Sequence, residues 1–278
     1  MKNEFDTQYQ SLIKKIISEG CPIKDGRTKE TIIPLPGQTM QFDLRLGFPL
    51  LTLRRIPLKL FIAEQIWFLT GAKKLDFLQQ YTRIWDDFRE DDNTISSAYG
   101  YRWRKHFGRD QITGAIKLLE KDPTSRHAVI MMWDAADDGL NDGTAKKNVP
   151  CPYSFTLQII NNRLCLHLII RSNDMMLGNP HDTSGFALLA YIFAEKLGVP
   201  PGILTISISN AHIYQNHLPQ AKEIAKRKTL HPPIPFSCPK NALERAQKED
   251  KSLITEIFTS LKKNYHPQPP LQKMKIAL

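Results

Sequence analysis

Val149-Pro150-Cys151-Pro152, then Arg171-Ser172-Asn173-Asp174, then Leu177-Gly178-Asn179-Pro180-His181-Asp182 bring a thiol, a guanidinium and carboxylates onto one part of this chain. Taken singly, each has an ordinary structural reading. A free cysteine is usually a small buried apolar residue, an arginine a surface ion-pair partner of little worth, an aspartate in a Gly-containing stretch a solvated charge. Their order and company change that reading.

Downstream of Cys151, residues 155–160 and 163–170 are β-rich runs separated by Asn161-Asn162, a hairpin signal, and Cys151 falls at the start of the first strand. Leu164, Leu166, Leu168 and Ile170 alternate with Cys165, His167 and Ile169, so both faces of the second strand are fairly apolar. Such a strand is expected to be covered on both sides. Phe186 to Leu197 reads as a mostly apolar helix, and Thr205 to Ser209 as a strand leading into Asn210-Ala211-His212, which puts His212 and Tyr214 on one strand face. Upstream, Tyr9, Leu12, Ile13, Ile16 and Ile17 recur at helical spacing before Gly20, and residues 115–120 suggest a second helix. Leu58 to Leu69 is an apolar helical segment holding Glu64, a costly place for a carboxylate unless it is paired or functional. Helices and strands mix without βαβ alternation, repeats or low-complexity tracts, so the class is α+β.

At 278 residues the chain is long enough to bury a core without staples, and its Pro-rich pieces, 232–235 and 267–270, are short and late. A single domain over 1–278 is expected. Cys21, Cys151, Cys165 and Cys238 have no CxxC spacing, no secretory signal precedes them and no apolar run reaches membrane-spanning length. Free thiols in a reducing cytoplasm are the expectation. The net charge of +10 is dispersed, with short clusters only at Arg102-Trp103-Arg104-Lys105 and Lys146-Lys147. It suits steering of small polyanions better than a nucleic-acid surface.

Further motifs stand around the three stretches: Asp25-Gly26-Arg27-Thr28, Gly47-Phe48-Pro49-Leu50, Glu64 to Leu69, Ile84-Trp85-Asp86, Tyr99-Gly100, Asp122 to Arg126 and Ala211 to His217. In this order, from about residue 5 to Leu278, they resemble the thymidylate synthase superfamily. The resemblance implies a mixed sheet packed by helices, a homodimer formed sheet on sheet, a pyrimidine nucleoside monophosphate as substrate, 5,10-methylenetetrahydrofolate as one-carbon donor, and no metal. It makes Cys151 the nucleophile toward C6 of the base, which requires a thiolate beside a cation such as Arg171. Arg27, Arg171 and Ser172 correspond to the phosphate site, with Arg126 supplied by the other subunit; the arginine usual after Arg126 is His127 here, a weaker or pH-dependent contact or a surface residue. Glu64 corresponds to the residue that organises water and moves protons, Tyr99 and Asn179 to nearby polar participants, and His212 and Tyr214 to the pair that holds the sugar hydroxyl. Ile84, Trp85 and Phe88 resemble the wall for the pterin, Asp174 the acid that hydrogen-bonds it, and Gly178 and Leu278 join the folate site. The ending at about 273–278 resembles a lid.

Asp182 stands where a thymidylate synthase has an asparagine, whose amide donates to O4 of uracil and accepts from N3-H. Cytosine inverts both demands. A protonated aspartate meets them, one oxygen accepting from the N4 amino group while the O-H donates to N3, so Asp182 reads as a cytosine selector. The same Asp marks the deoxycytidylate hydroxymethylases, familiar from bacteriophages. Pro152 in place of the synthases' His, and polar Asn148 in place of an apolar residue that shields the exocyclic methylene, point the same way, toward water access. Three readings stay open: 5-hydroxymethylation of dCMP, reductive methylation of dCMP or dUMP, and a catalytically silent nucleic-acid-binding relative. The choice between deoxyribose and ribose stays open as well.

Overall fold

The computed structural model describes residues 3–26, 28–138, 148–229 and 231–276. Asn3 starts the first helix, α1 (Glu4–Glu19), by accepting from the backbone N–H of Phe5 and Asp6, an N-cap that satisfies two otherwise orphaned donors. The stripe Tyr9, Leu12, Ile13 and Ile16 is buried. Gly20 ends the helix as expected, but not through a left-handed turn: its φ is −70°. A Cβ there would lie 2.6 Å from both the Ile16 carbonyl oxygen and Ile33 Cγ2, so close approach of chain to chain requires the glycine.

Seven strands form one mixed sheet: β1 (Ile23–Lys24), β2 (Thr31–Asp43), β3 (Val129–Met131), β4 (Pro152–Ile160), β5 (Arg163–Ile170), β6 (Asn173–Asp174) and β7 (Pro201–Tyr214). Their order is β1-β2-β7-β5-β4-β3, with β6 also pairing β7; β5 and β6 run parallel to β7 and the other pairs are antiparallel. The hairpin between β4 and β5 turns on Asn161 and Asn162 at φ 50° and 55°. Two consecutive positive φ values are what a two-residue type I′ loop needs, and asparagine tolerates them. β2 is long despite Pro34 and Pro36. It pairs β7 along most of its length and β1 only at Thr31 and Ile32, so the prolines face an unpaired edge where no ladder donor is missed.

Around the sheet lie α2 (Leu58–Thr70), α3 (Tyr99–Tyr101) running into a π-helical turn at Arg102–His106, α4 (Gln111–Lys121), α5 (Gly178–Lys196), α6 (Leu218–Lys226), α7 (Ala242–Gln247) and α8 (Lys251–Lys263). α5 starts eight residues before the apolar run that announces it, so Asp182 lies inside a helix rather than in a loop. Leu177 gives that helix no side-chain cap; Asp174 of β6 closes the turn that leads into it, accepting from the N–H of Met176 (2.8 Å) and Leu177 (3.3 Å). α2 and α5 pack on each other, and both are buried on most sides, as their apolar sequences demand. Gly100 joins α3 to α2 at main-chain contact: a Cβ on it would fall 1.9 Å from the Phe68 carbonyl oxygen.

Among the described residues only one face of β5 is fully covered. Leu164, Leu166, Leu168 and Ile170 are buried, whereas His167 is exposed and Cys165 and Ile169 are half-buried. The two-sided burial expected from the sequence is therefore absent in the single subunit. The register sets Val129, Thr156, His167 and Thr205 in one row, and Met131, Ser154, Ile169 and Ser207 in the next. This face carries exposed Val129 and Met131 at its edge. Among the described residues no helix is long and apolar enough to cross a membrane.

Candidate active site

α2 carries Glu64 on a mostly apolar helix, beside an aromatic cluster. Trp85 Nε1 donates to Glu64 Oε1 over 2.7 Å. Burial pushes the Glu64 carboxyl up to about 8; the Trp85 bond favours the ionised form and is outweighed, and the charge of Asp182 adds to the rise. Trp85 leads into a 3₁₀ turn at Asp86–Phe88, and its ring centroid lies 5.6 Å from Tyr99, 6.0 Å from Phe88 and 6.2 Å from Phe68. Ile84, Trp85, Phe88 and Tyr99 are all half-buried, leaving edges of this apolar surface accessible.

Cys151 immediately precedes β4, beside an irregularity in the β4–β5 register between Pro152 and Ser154. Arg171, just beyond the end of β5, is clasped to the same segment. Its backbone N–H donates to the Cys151 carbonyl (2.9 Å), its Nε to the Pro150 carbonyl (2.9 Å) and its Nη2 to the Val149 carbonyl (3.2 Å). The guanidinium carbon sits 5.5 Å from the centroid of the Trp133 ring. The expected cation is thus tied to the backbone of the segment that carries the expected nucleophile, with further donors on the guanidinium to offer an anion. Ser172 follows it, half-buried.

Tyr99 marks where the two segments meet. Burial raises its phenol well above the ordinary value, and the charges of Cys151, Asp182 and Glu64 raise it further, against a backbone hydrogen bond from Cys151. Asp182 itself is pushed up to about 7, by burial first and by the charge of Asp174 after it. Asn173 Nδ2 donates to Asp182 Oδ2 over 2.7 Å and opposes that rise. Asp174 lies opposite His212 in the β6–β7 register, and the Met175 N–H bonds the His212 carbonyl at 2.9 Å. His212 and Tyr214 are both buried with ring centroids 5.2 Å apart, the shared face expected of them.

Other expected residues stand elsewhere. Asn179 is wholly buried; its Nδ2 donates to Asn173 Oδ1 (2.8 Å), while its own Oδ1 has no hydrogen-bond partner among the described residues. Gly178, the first residue of α5, faces Asn173, Asp174 and Asp182 at ordinary contact distance. Asn148 is exposed at φ 58°, gives its side-chain amide to the Phe88 carbonyl (3.1 Å) and receives a hydrogen bond from Ser97 on its own carbonyl. Arg126 and His127 are exposed ahead of β3. The β3–β4 register pairs Val129 with Thr156 and Met131 with Ser154, so Arg126, ahead of β3, lies toward the end of β4 away from Cys151. Arg27, Leu278 and the Lys146-Lys147 pair lie outside the described residues.

Asn173 is the residue that the sequence reading passes over, although it stands inside a quoted motif between two assigned neighbours. Its one signal is an amide in a buried strand next to a motif ending in Asp182.

A family model described as thymidylate synthase matches residues 7–278. The chain belongs to the thymidylate synthase family. The mixed sheet packed by helices is that fold. Enzymes of the thymidylate synthase family transfer a one-carbon unit to C5 of a pyrimidine nucleotide with methylenetetrahydrofolate as donor, and at that level the activity of this chain follows.

Proposed function

We propose that this thymidylate synthase family member converts dCMP, 5,10-methylenetetrahydrofolate and water to 5-hydroxymethyl-dCMP and tetrahydrofolate. One observation carries the choice of base: Asp182 is a half-buried carboxyl that desolvation lifts to about 7, close enough to Glu64 and Tyr99 to shift both. A carboxyl that keeps its proton near neutrality presents one donor and one acceptor, the pattern that matches N3 and the N4 amino group of cytosine. The proton it gives to N3 also stabilises charge developing at C5 after attack on C6.

In this reading Cys151 adds to C6, favoured as thiolate by the adjacent Arg171. Arg171, Ser172 and Arg27 bind the phosphate with Arg126 of a second copy, and His212 and Tyr214 hold the sugar. The surface of Ile84, Trp85 and Phe88 fits a flat ring system, and Asp174, which has one oxygen engaged at the start of α5, has its other oxygen for a pterin. The folate supplies a carbon at the oxidation level of formaldehyde. Glu64 accepts and returns protons, a task for which a carboxyl near 8 is suited at neutral pH. The whole chain acts as one catalytic domain whose end, from about residue 273, closes the site. Of that segment, the Lys275 carbonyl lies 2.8 Å from His217 Nε2.

Water rather than hydride completes the product because exposed, polar Asn148 stands next to the nucleophile's segment, bonded to the Phe88 wall. The alternative, reductive methylation, releases dihydrofolate. Mass spectrometry of products from dCMP, CMP and dUMP, with ultraviolet absorbance followed for dihydrofolate, tests both. The expected result is a hydroxymethyl product from dCMP and no dihydrofolate signal; a methyl product from dUMP would sink the proposal.

A further inference from the structure

We propose that Asn173 is the positioning residue for Asp182, fixing Oδ2 as the oxygen that accepts from the cytosine N4 amino group and leaving Oδ1 to carry the proton for N3. The assignment rests on the cytidylate reading and extends it to a residue that touches no substrate atom.

The geometry is a short chain of amides. Asn179 Nδ2 donates to Asn173 Oδ1 over 2.8 Å, and Asn173 Nδ2 donates to Asp182 Oδ2 over 2.7 Å. Asn179 and Asp182 lie three residues apart on α5, one face of one helix, while Asn173 reaches them from β6. Asn173 is 2% exposed and its backbone is paired with Ala211 of β7, so its side chain starts from a fixed base. Asn179 Nδ2 also faces Met40 Sδ (3.8 Å), and with Asn179 so turned, reversing the Asn173 amide would set two NH₂ groups together. An N–H aimed at Oδ2 excludes a proton from that oxygen, so a neutral Asp182 bears its proton on Oδ1. The second lone pair of Oδ2 remains for the base.

The charged and titratable groups facing Asp182 are Glu64 from α2, Tyr99 from α3 and Asp174 from β6. All of them favour the protonated carboxyl or leave it unassisted. The Asn173 bond alone works in the other direction and keeps the proton exchangeable near neutral pH. A site built this way orients the carboxyl and limits how tightly it holds its proton.

The test is the pH profile of kcat/KM for dCMP, which reports free-enzyme groups. Asn173→Ala should move the limb on which Asp182 loses its proton upward by about one pH unit and lower kcat/KM at neutral pH about tenfold. dCMP binding by Cys151→Ser with and without Asn173→Ala, measured by calorimetry across pH, should show the same displacement without chemistry. Should Asn173→Ala fail to fold, Asn179→Leu frees the Asn173 amide one step away and should move the limb in the same direction by less. Wild type is assayed first: equal use of dCMP and dUMP would remove the cytosine reading and this assignment with it. A wild type that prefers dCMP, with folded variants whose limb stays in place, would overturn the assignment alone.

Discussion

The indole of Trp85 donates to Glu64 over 2.7 Å, so the aromatic wall and the carboxyl of α2 are one unit. The bond goes to the ionised form and holds the carboxyl down, yet burial wins and the group sits near 8. Trp85→Phe keeps a ring in place and removes the donor. The apparent pKa assigned to Glu64 should then rise above about 8, read as an upward shift in the pH dependence of turnover.

The same carboxyl has a stability consequence with a definite sign. Its folded pKa is raised above the ordinary 4.5, so the unfolded chain releases this proton first and stability is lost as pH climbs from about 4.5 to about 8. Glu64→Gln keeps an acceptor for Trp85 without the charge. Turnover should fall by 10²-fold or more, on the order of a lost general base, while stability near pH 8 rises by about 1–3 kcal/mol. Thermal melting at pH 5 and pH 8 checks this; an equal effect at both values would refute it.

Cys151→Ser should abolish turnover and leave dCMP binding within a modest factor, since a hydroxyl is not a nucleophile at neutral pH. Tritium release from C5 of labelled dCMP reports the covalent step. Substantial exchange by the serine protein would remove Cys151 from the mechanism.

Asp182→Asn offers cytosine a mismatched pair and uracil a matched one. The ratio of kcat/KM for dCMP over dUMP should drop by about 100-fold or more. In wild type the rate on dCMP should fall as pH passes about 7, where Asp182 gives up its proton, with an apparent value that belongs to the coupled site. An unchanged ratio in the variant would rule out Asp182 as the selector.

Arg126 precedes β3 on the side away from its own Cys151, and β5 has a half-open face among the described residues of the single chain. Mixing Arg126→Ala with Cys151→Ser should restore activity once subunits exchange, because some hybrid sites hold both residues. Hybrid dimers without activity would end the shared-site claim.

Local chemistry made much of the fold legible. The 3.6-residue stripe of α1, the Asn161-Asn162 turn and the apolar segment around Glu64 follow from periodicity and turn preference. β2 was not readable, because Pro34 and Pro36 look like strand breakers until the unpaired edge they face is known. The start of α5 was hidden for a related reason: Leu177 offers no capping side chain, so no cap signal precedes the helix. At the site, motif order brought Cys151, Glu64, Tyr99 and Asp182 together. Asn173 and Asn179 needed three dimensions, since an amide's role depends on which end faces which neighbour, and a sequence does not carry that.

Gly100 divides the site into a part that substitution can reshape and a part it cannot. With Phe68 backbone 1.9 Å from any added Cβ, Gly100→Ala should cost about 3 kcal/mol or more through overpacking, measurable by denaturant unfolding. Because main chain meets main chain there, the spacing between the Tyr99 segment and α2 is set without side chains. Repacking nearby leaves it alone. Asp182, our proposed base selector, and the two asparagines behind it stand on different elements, α5 and β6. A lineage can therefore change which nucleotide it accepts by trading three side chains while the proton-transfer frame is inherited intact.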